Sequence, residues 1–407
     1  MNVYDKYLPP LISDYSALHL LFFDRSVTLI LLSPGGCNHP TREVDEYRNF
    51  ENTKQYTTKL NDAHITIGIE NFITKNALEN IDMDSDFFVI LGTSITNIIG
   101  TNLMDISKKI ERIMNKPVLY FNTSAFKSYS KILSEAYKKM YPYICKSQND
   151  DNNKIKVNII GYNSIVNGHE KFLEKILELL KHKEIELCLD GKNNIKNVDN
   201  KLSKDAKISL VLSEEGISLA EQLEKEFQVP YEKILPLLTK GVFDLYKIIE
   251  DYCGITYKIT QQHKNREEII IDNRKKILII GEPFFILNLK KYLFLEFGIS
   301  QISLMCLFKK RELIAKFTDE EYDQIKFTID EKQVTNNLNL ADVIIADPLI
   351  KEVFHQVYDK FFILLPFLGL SGREYADINY DYIGIEGFNY FKKELKRTGV
   401  VIENEKI

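Results

Sequence analysis

The sequence predicts an α/β fold: three Rossmann-like domains, each a parallel sheet flanked by helices, packed around a central cleft. Three observations carry this expectation. Short continuous apolar runs such as Val27-Thr28-Leu29-Ile30-Leu31-Leu32 and Phe87-Phe88-Val89-Ile90-Leu91 lack the alternation of half-exposed strands, and read as strands buried on both faces. Segments of helical spacing lie between such runs, among them Ile106-Ile110-Ile113 and Phe172-Ile176-Leu179-Leu180. The alternation recurs along the whole chain, interrupted by a polar connector at 146–153 and a charged one at 261–268.

Taken in order, the first domain (1–150) carries expected strands near 27–32, 64–68, 86–92 and 117–121, with helices around 106–113 and 132–140. The second (151–268) opens on the strand Ile155-Lys156-Val157-Asn158-Ile159-Ile160. A helix over 168–181, strands near 184–189 and 207–212, and a helix over 215–227 follow. The third (269–407) opens on Ile277-Leu278-Ile279-Ile280, runs into a helix, and continues through strands near 301–307, 342–346 and 361–365 to a C-terminal helical segment. Parallel strands joined this way require right-handed crossovers.

Composition narrows the function classes. With 44% apolar and 27% charged residues the 407-residue chain has the make-up of an ordinary globular protein with several cores. A net charge of −5 with no Lys/Arg block argues against a nucleic-acid partner. No apolar run approaches the roughly 20 residues that span a bilayer. The opening Met1-Asn2-Val3-Tyr4-Asp5-Lys6 lacks the basic-then-apolar layout of a signal peptide, so the expected location is cytoplasmic. Neither a Gly-x-Gly-x-x-Gly fingerprint nor a Gly-x4-Gly-Lys-Ser/Thr loop is present, which argues against dinucleotide binding or ATP hydrolysis by this chain.

Five cysteines stand far apart, at 37, 145, 188, 253 and 306, with no Cys-x-x-Cys pair. That spacing argues against a disulfide framework and against a self-contained zinc or four-cysteine cluster. Cys188 and Cys306 sit in apolar runs and read as core filling. Cys37 differs. It closes Leu32-Ser33-Pro34-Gly35-Gly36-Cys37, a strand followed by a tight turn. A thiol there lies at the carboxyl end of a strand, where open α/β sheets hold ligands. Taken alone, Cys37 is compatible with an inert turn cysteine and with a ligand to a soft metal or an iron–sulfur cluster.

The ordered series of segments resolves more. The Gly36-Cys37 turn is followed by Gly68-Ile69-Glu70-Asn71-Phe72, then Phe87–Ser94 with Ile98-Ile99-Gly100-Thr101-Asn102, then Pro117-Val118-Leu119-Tyr120-Phe121-Asn122-Thr123. In that order and spacing the chain resembles the component 1 family of nitrogenases and nitrogenase-like reductases. Segments 211–231, 277–299 and 382–388 extend the resemblance over nearly the whole sequence.

The resemblance implies a homologous α-type subunit as partner and an iron–sulfur cluster at their interface. It also implies an ATP-dependent iron–sulfur reductase that delivers single electrons. An α-type subunit of this family supplies three cluster cysteines, and this chain keeps one of the three positions. The first segment corresponds to Tyr7-Leu8-Pro9-Pro10-Leu11-Ile12-Ser13, without cysteine; the second is Gly36-Cys37; in the third, Ser94 stands near the expected cysteine. One thiolate here plus three from a partner closes a [4Fe–4S] cluster, the pattern of the β-type subunit of the nitrogenase cofactor-assembly scaffold. The cofactor-binding residues implied are Cys37, Ser94 and Gly36, with Cys37 the metal ligand. A hydroxyl such as that of Ser94 near a strand end more often caps a helix or bonds backbone than ligates iron, and Asp14 and His39 are lesser alternatives as ligands. No residue is assigned a catalytic role.

Two further positions exclude the substrate-reducing α subunit. Leu212 occupies the position of the cofactor cysteine and Ile383 that of the cofactor histidine. Neither side chain can ligate a metal. Two readings accompany the β-type subunit: a metallocofactor assembly scaffold without turnover, and a degenerate, cluster-free α/β binding module. Glu70, Ser213, Glu214, Glu282 and Asp347 follow expected strands or open expected helices, where a helix-capping role accounts for each.

Overall fold

β1 (Val27–Leu32) and β3 (Phe87–Gly92) are buried along their whole length, as two central strands of a parallel sheet must be. The computed structural model describes residues 1–8, 11–23, 25, 27–34, 54–73, 78, 79, 81, 84–124, 129–146, 154–168, 171–191, 198–257, 270–310, 313, 314, 316–371 and 381–402. It has the mixed α/β architecture that the sequence predicts, with three parallel sheets flanked by helices. By internal contacts the chain divides into two units, one of Leu11–Asp150 with Cys188–Lys204, the other of Met1–Pro10, Asp151–Leu187 and Asp205–Ile407.

The first unit holds a four-stranded sheet in the order β2-β1-β3-β4, with β2 at Gln55–Thr57 and β4 at Val118–Asn122. All its pairings are parallel, and β1 and β3 run in register from Val27↔Phe87 to Leu32↔Gly92. On one face Ile30, Leu32, Phe88 and Ile90 pack with Leu103, Ile106, Ile110 and Met114 of the helix Leu103–Met114. The apolar stripe of that helix is buried while its Lys and Glu residues face outward. A buried ion pair closes the opposite end of the sheet. Arg25 Nη2 lies 3.1 Å from Asp190 Oδ1, its Nε donates to the Asp190 carbonyl at 3.2 Å, and Nη1 donates to the Leu21 carbonyl.

One expected strand is a helix. His64-Ile65-Thr66-Ile67 alternates like a strand, yet Asp62–Ile67 is helical. Local capping decides it: Asn61 Oδ1 accepts from the His64 amide at 3.1 Å, and His64 Nδ1 accepts from the Asn61 amide at 3.2 Å. Gly68, at φ +100°, then ends the helix in a conformation that disfavours a side chain. The edge position falls instead to β2, three half-buried residues inside a polar stretch.

The second unit holds two parallel sheets. One has the order β6-β5-β7-β8, with β5 Ile155–Ile160, β6 Ile185–Leu189, β7 Ile208–Val211 and β8 Tyr231–Lys233. The other has the order β12-β11-β10-β13-β14, with β10 Ile277–Ile280, β11 Ile302–Cys306, β12 Ile325–Phe327, β13 Val343–Ala346 and β14 Phe361–Leu364. A short antiparallel ribbon pairs β9 (Ile270–Ile271) with β15 (Val401–Ile402).

In each sheet the chain order reverses direction at one place. These are β1/β3 in the first sheet, β5/β7 in the second and β10/β13 in the third. Such switch points open a crevice at the carboxyl ends of the strands, the usual ligand position in doubly wound sheets. At β5/β7 the crevice is closed by backbone. A Cβ on Gly216 would lie 2.8 Å from the Gly161 Cα, so the two loops touch through glycines.

Candidate functional site

The end of β1 at Leu32 stands beside the end of β3 at Gly92, so the segments after both strands leave the sheet side by side. Hydrogen bonds fix both departures. Thr93 Oγ1 donates to the Leu32 carbonyl at 3.1 Å. The Ser33 amide donates to Thr58 Oγ1 at 3.1 Å, and Thr58 Oγ1 donates to the Leu31 carbonyl at 3.2 Å. On the other flank Thr123 Oγ1 donates to the Gly92 carbonyl at 2.5 Å. Threonine hydroxyls therefore bond the carbonyls at the ends of the strands, the Leu31 carbonyl accepting from the Thr58 amide as well.

Gly92 is required for this packing. A Cβ there would meet Leu103 Cδ1 at 2.7 Å and Thr96 Oγ1 at 2.8 Å. Ser94 is the first residue of the helix Ser94–Ile98 and is half-buried. Thr93, the N-cap residue, spends its hydroxyl on Leu32 rather than on the helix, so that helix start has no side-chain cap. Cys37 and Gly36 follow Pro34 in the sequence and lie outside the described residues, as does His39.

Asp14, an alternative ligand from the sequence, is buried and committed elsewhere. Its Oδ2 accepts from the Ser124 amide at 2.9 Å and its Oδ1 from the Tyr15 amide at 3.0 Å. Glu70 is the second residue of the helix Ile69–Phe72, which has no side-chain cap, and its carbonyl accepts from Lys109 Nζ at 2.5 Å. Cys188 and Cys306 are fully buried, and burial pushes the Cys253 thiol up to about 11.

The described residues contain no group of three or more His, Cys, Asp or Glu side chains able to hold a metal ion. The described residues alone therefore do not hold a complete four-thiolate cluster, and one thiolate at Cys37 would leave three to come from elsewhere. Leu212 and Ile383 are both wholly buried, and Ile383 forms backbone bridges with Leu237 and Leu238. Apolar packing occupies both positions.

Of the acidic residues expected as caps, Glu282 and Asp347 are caps. Glu282 Oε2 accepts from the Phe285 amide at 2.8 Å, and Asp347 Oδ1 from the Leu349 amide at 2.9 Å. Glu214 is not. Its Oε1 accepts from Tyr322 Oη at 2.6 Å and from the Lys316 amide at 2.8 Å, and its Oε2 is buried without a hydrogen-bond partner. Burial raises its carboxyl above the ordinary range, against the lowering effects of the Tyr322 hydroxyl, the Lys316 amide and the Lys233 charge. Sequence spacing gave no sign of Tyr322 as a neighbour of Glu214, because the two are 108 residues apart in the chain.

Three parallel sheets, each with its own switch point, define a multi-sheet doubly wound protein. The family is equally definite. Residues 24–349 match the model of the nitrogenase component 1 type oxidoreductases, and the chain belongs to that family. Among solved structures it is similar to "Nitrogenase Cp1 at pH 6.5", with a TM-score of 0.64 and 15% identity over 96% of this chain and 92% of that one. It is likewise similar to "Nitrogenase Cp1 at pH 5", with a TM-score of 0.62 and 14% identity over 97% and 89% of the two chains. At these identities the likeness is one of fold. No curated protein sequence matches.

Proposed function

We propose that this chain is a β-type subunit of a nitrogenase-like component 1 complex. Through Cys37 it contributes one thiolate to a [4Fe–4S] cluster shared with a homologous α-type subunit, and Gly36 lets the turn approach the cluster closely. An ATP-dependent iron–sulfur reductase supplies the low-potential electrons, and the complex works in the cytoplasm. The observation that carries this reading is the in-register end of β1 and β3. The entries to two segments the family uses for cluster thiolates, Ser33–Pro34 and Thr93–Ser94, leave the sheet together at its switch point. Ser94 borders the cluster as a helix-start residue rather than as its ligand.

The buried aliphatic pair Leu212 and Ile383 favours a second reading within the same family, an assembly scaffold that passes on a metallocofactor without reducing substrate. Anaerobic co-expression with the adjacent homologous chain tests the first reading. A pulled-down heterodimer with the charge-transfer absorbance of a thiolate-bound iron–sulfur cluster supports it. A colourless heterodimer rejects cluster ligation and leaves the binding module.

A further inference from the structure

Within the second unit, segment 316–322 lies between β11 and β12 of the third sheet and reaches the second sheet at three points. At the loop after β7, Glu214 Oε1 accepts from Tyr322 Oη at 2.6 Å and from the Lys316 amide at 2.8 Å. At the edge strand β8, Lys233 Nζ lies 3.0 Å from both carboxylate oxygens of Glu321 and 5.1 Å from the centre of the Phe317 ring. At the helix Ile217–Phe227, Lys316 Nζ lies 2.5 Å from Glu221 Oε2. The segment is also braced internally. Thr318 and Glu321 cap the short helix Asp319–Asp323 reciprocally, and the Phe317 ring stands 5.4 Å from that of Tyr322 and 5.8 Å from that of Phe284.

The loop held in this way is the one that shuts the second switch point, because Gly216 of the same loop rests against Gly161 after β5. We propose that segment 316–322 is a salt-sensitive strap. Closed, it pins the β7 loop over the switch-point crevice; released, it lets Glu214 and that loop reach water while the sheets stay folded. Two features favour release. The two ion pairs have side chains between 29% and 40% exposed, where water and salt screen the attraction. Beneath the strap Glu214 is wholly buried and its Oε2 has no hydrogen-bond partner, a desolvation cost that opening removes.

Three perturbations then have definite signs. Salt weakens both ion pairs and leaves the desolvation cost of Glu214 in place, so it favours release. Tyr322→Phe deletes the hydroxyl that reaches Glu214 and favours release at any salt. Glu214→Gln keeps an oxygen for both donors but gains less from water than a carboxylate does, so it favours the closed strap.

Hydrogen exchange of the whole chain, followed by mass spectrometry at one pH, reads the release. Between low salt and about 1 M, the amides of 317–323 and of 214–217 are expected to exchange about three- to tenfold faster, with β10 (Ile277–Ile280) as the unmoved reference. Tyr322→Phe should speed both segments at low salt, and Glu214→Gln should slow both. Faster exchange in 317–323 alone would mean a fraying helix with no hold on the β7 loop, and would overturn the proposal. Exchange that ignores salt in both segments would overturn it as well. The salt comparison uses the wild type, so it remains the deciding test if either variant fails to fold.

Discussion

Thr93 Oγ1 donates to the Leu32 carbonyl at 3.1 Å, and this one bond joins the exits of β1 and β3 where the first sheet reverses direction. Replacing the hydroxyl by a methyl of nearly the same shape would strand a buried carbonyl. Thr93→Val is expected to cost about 1–3 kcal/mol in denaturant unfolding. It should also lower iron retention in the heterodimer, since the entry to the Cys37 turn would lose its anchor.

Gly92 sits at the same joint. Gly92→Ala drives a methyl into Leu103 and Thr96, and overpacking of this kind costs about 1–3 kcal/mol. A double-mutant cycle with Leu103→Ala checks the cause. The pair should destabilise by less than the sum of the single variants, because the second removes the atoms that the first strikes.

The Arg25–Asp190 pair is buried, with both side chains under 5% exposed. Asp190→Ala leaves the guanidinium without its carboxylate, and about 3–5 kcal/mol of stability should be lost. Arg25→Met/Asp190→Leu should recover much of that loss, because the pair's desolvation cost disappears with its charges. Thermal unfolding of the three variants measures it.

Tyr322→Phe removes the hydrogen bond that favours ionised Glu214. The carboxyl, already raised by burial, should rise further. Between the ordinary carboxylate range and that higher value the folded state binds a proton that the unfolded state does not. The variant should therefore track wild type as pH rises above about 4.3, then go on losing stability beyond the pH at which wild-type Glu214 ionises, until its own higher value is passed. Urea midpoints across pH give the slope.

The parts of the fold legible in sequence are those whose signal is local. β1, β3, β5, β7 and β10 are predominantly apolar runs, and Glu282 and Asp347 cap helices that begin at the next residue. The three-residue edge strands β2, β8 and β12 were not legible, because residues such as Glu232, Lys233 and Lys326 carry no strand pattern and pairing alone defines them. Asp62–Ile67 misled because two apolar residues at alternate positions imitate a strand, while the reciprocal Asn61–His64 cap sets the helix. In the candidate site, the ends of β1 and β3 could be read from the turn residues. The Thr93 and Thr123 bonds could not, since each joins residues brought near by the sheet.

Iron and acid-labile sulfide per heterodimer, measured after anaerobic co-expression with the homologous partner and pull-down on this chain, test the central claim most directly. The account expects about four of each in the wild type, a fall in both with Cys37→Ala, and no change with Cys188→Ser or Cys306→Ser. Full iron and sulfide in a heterodimer carrying Cys37→Ala would contradict it.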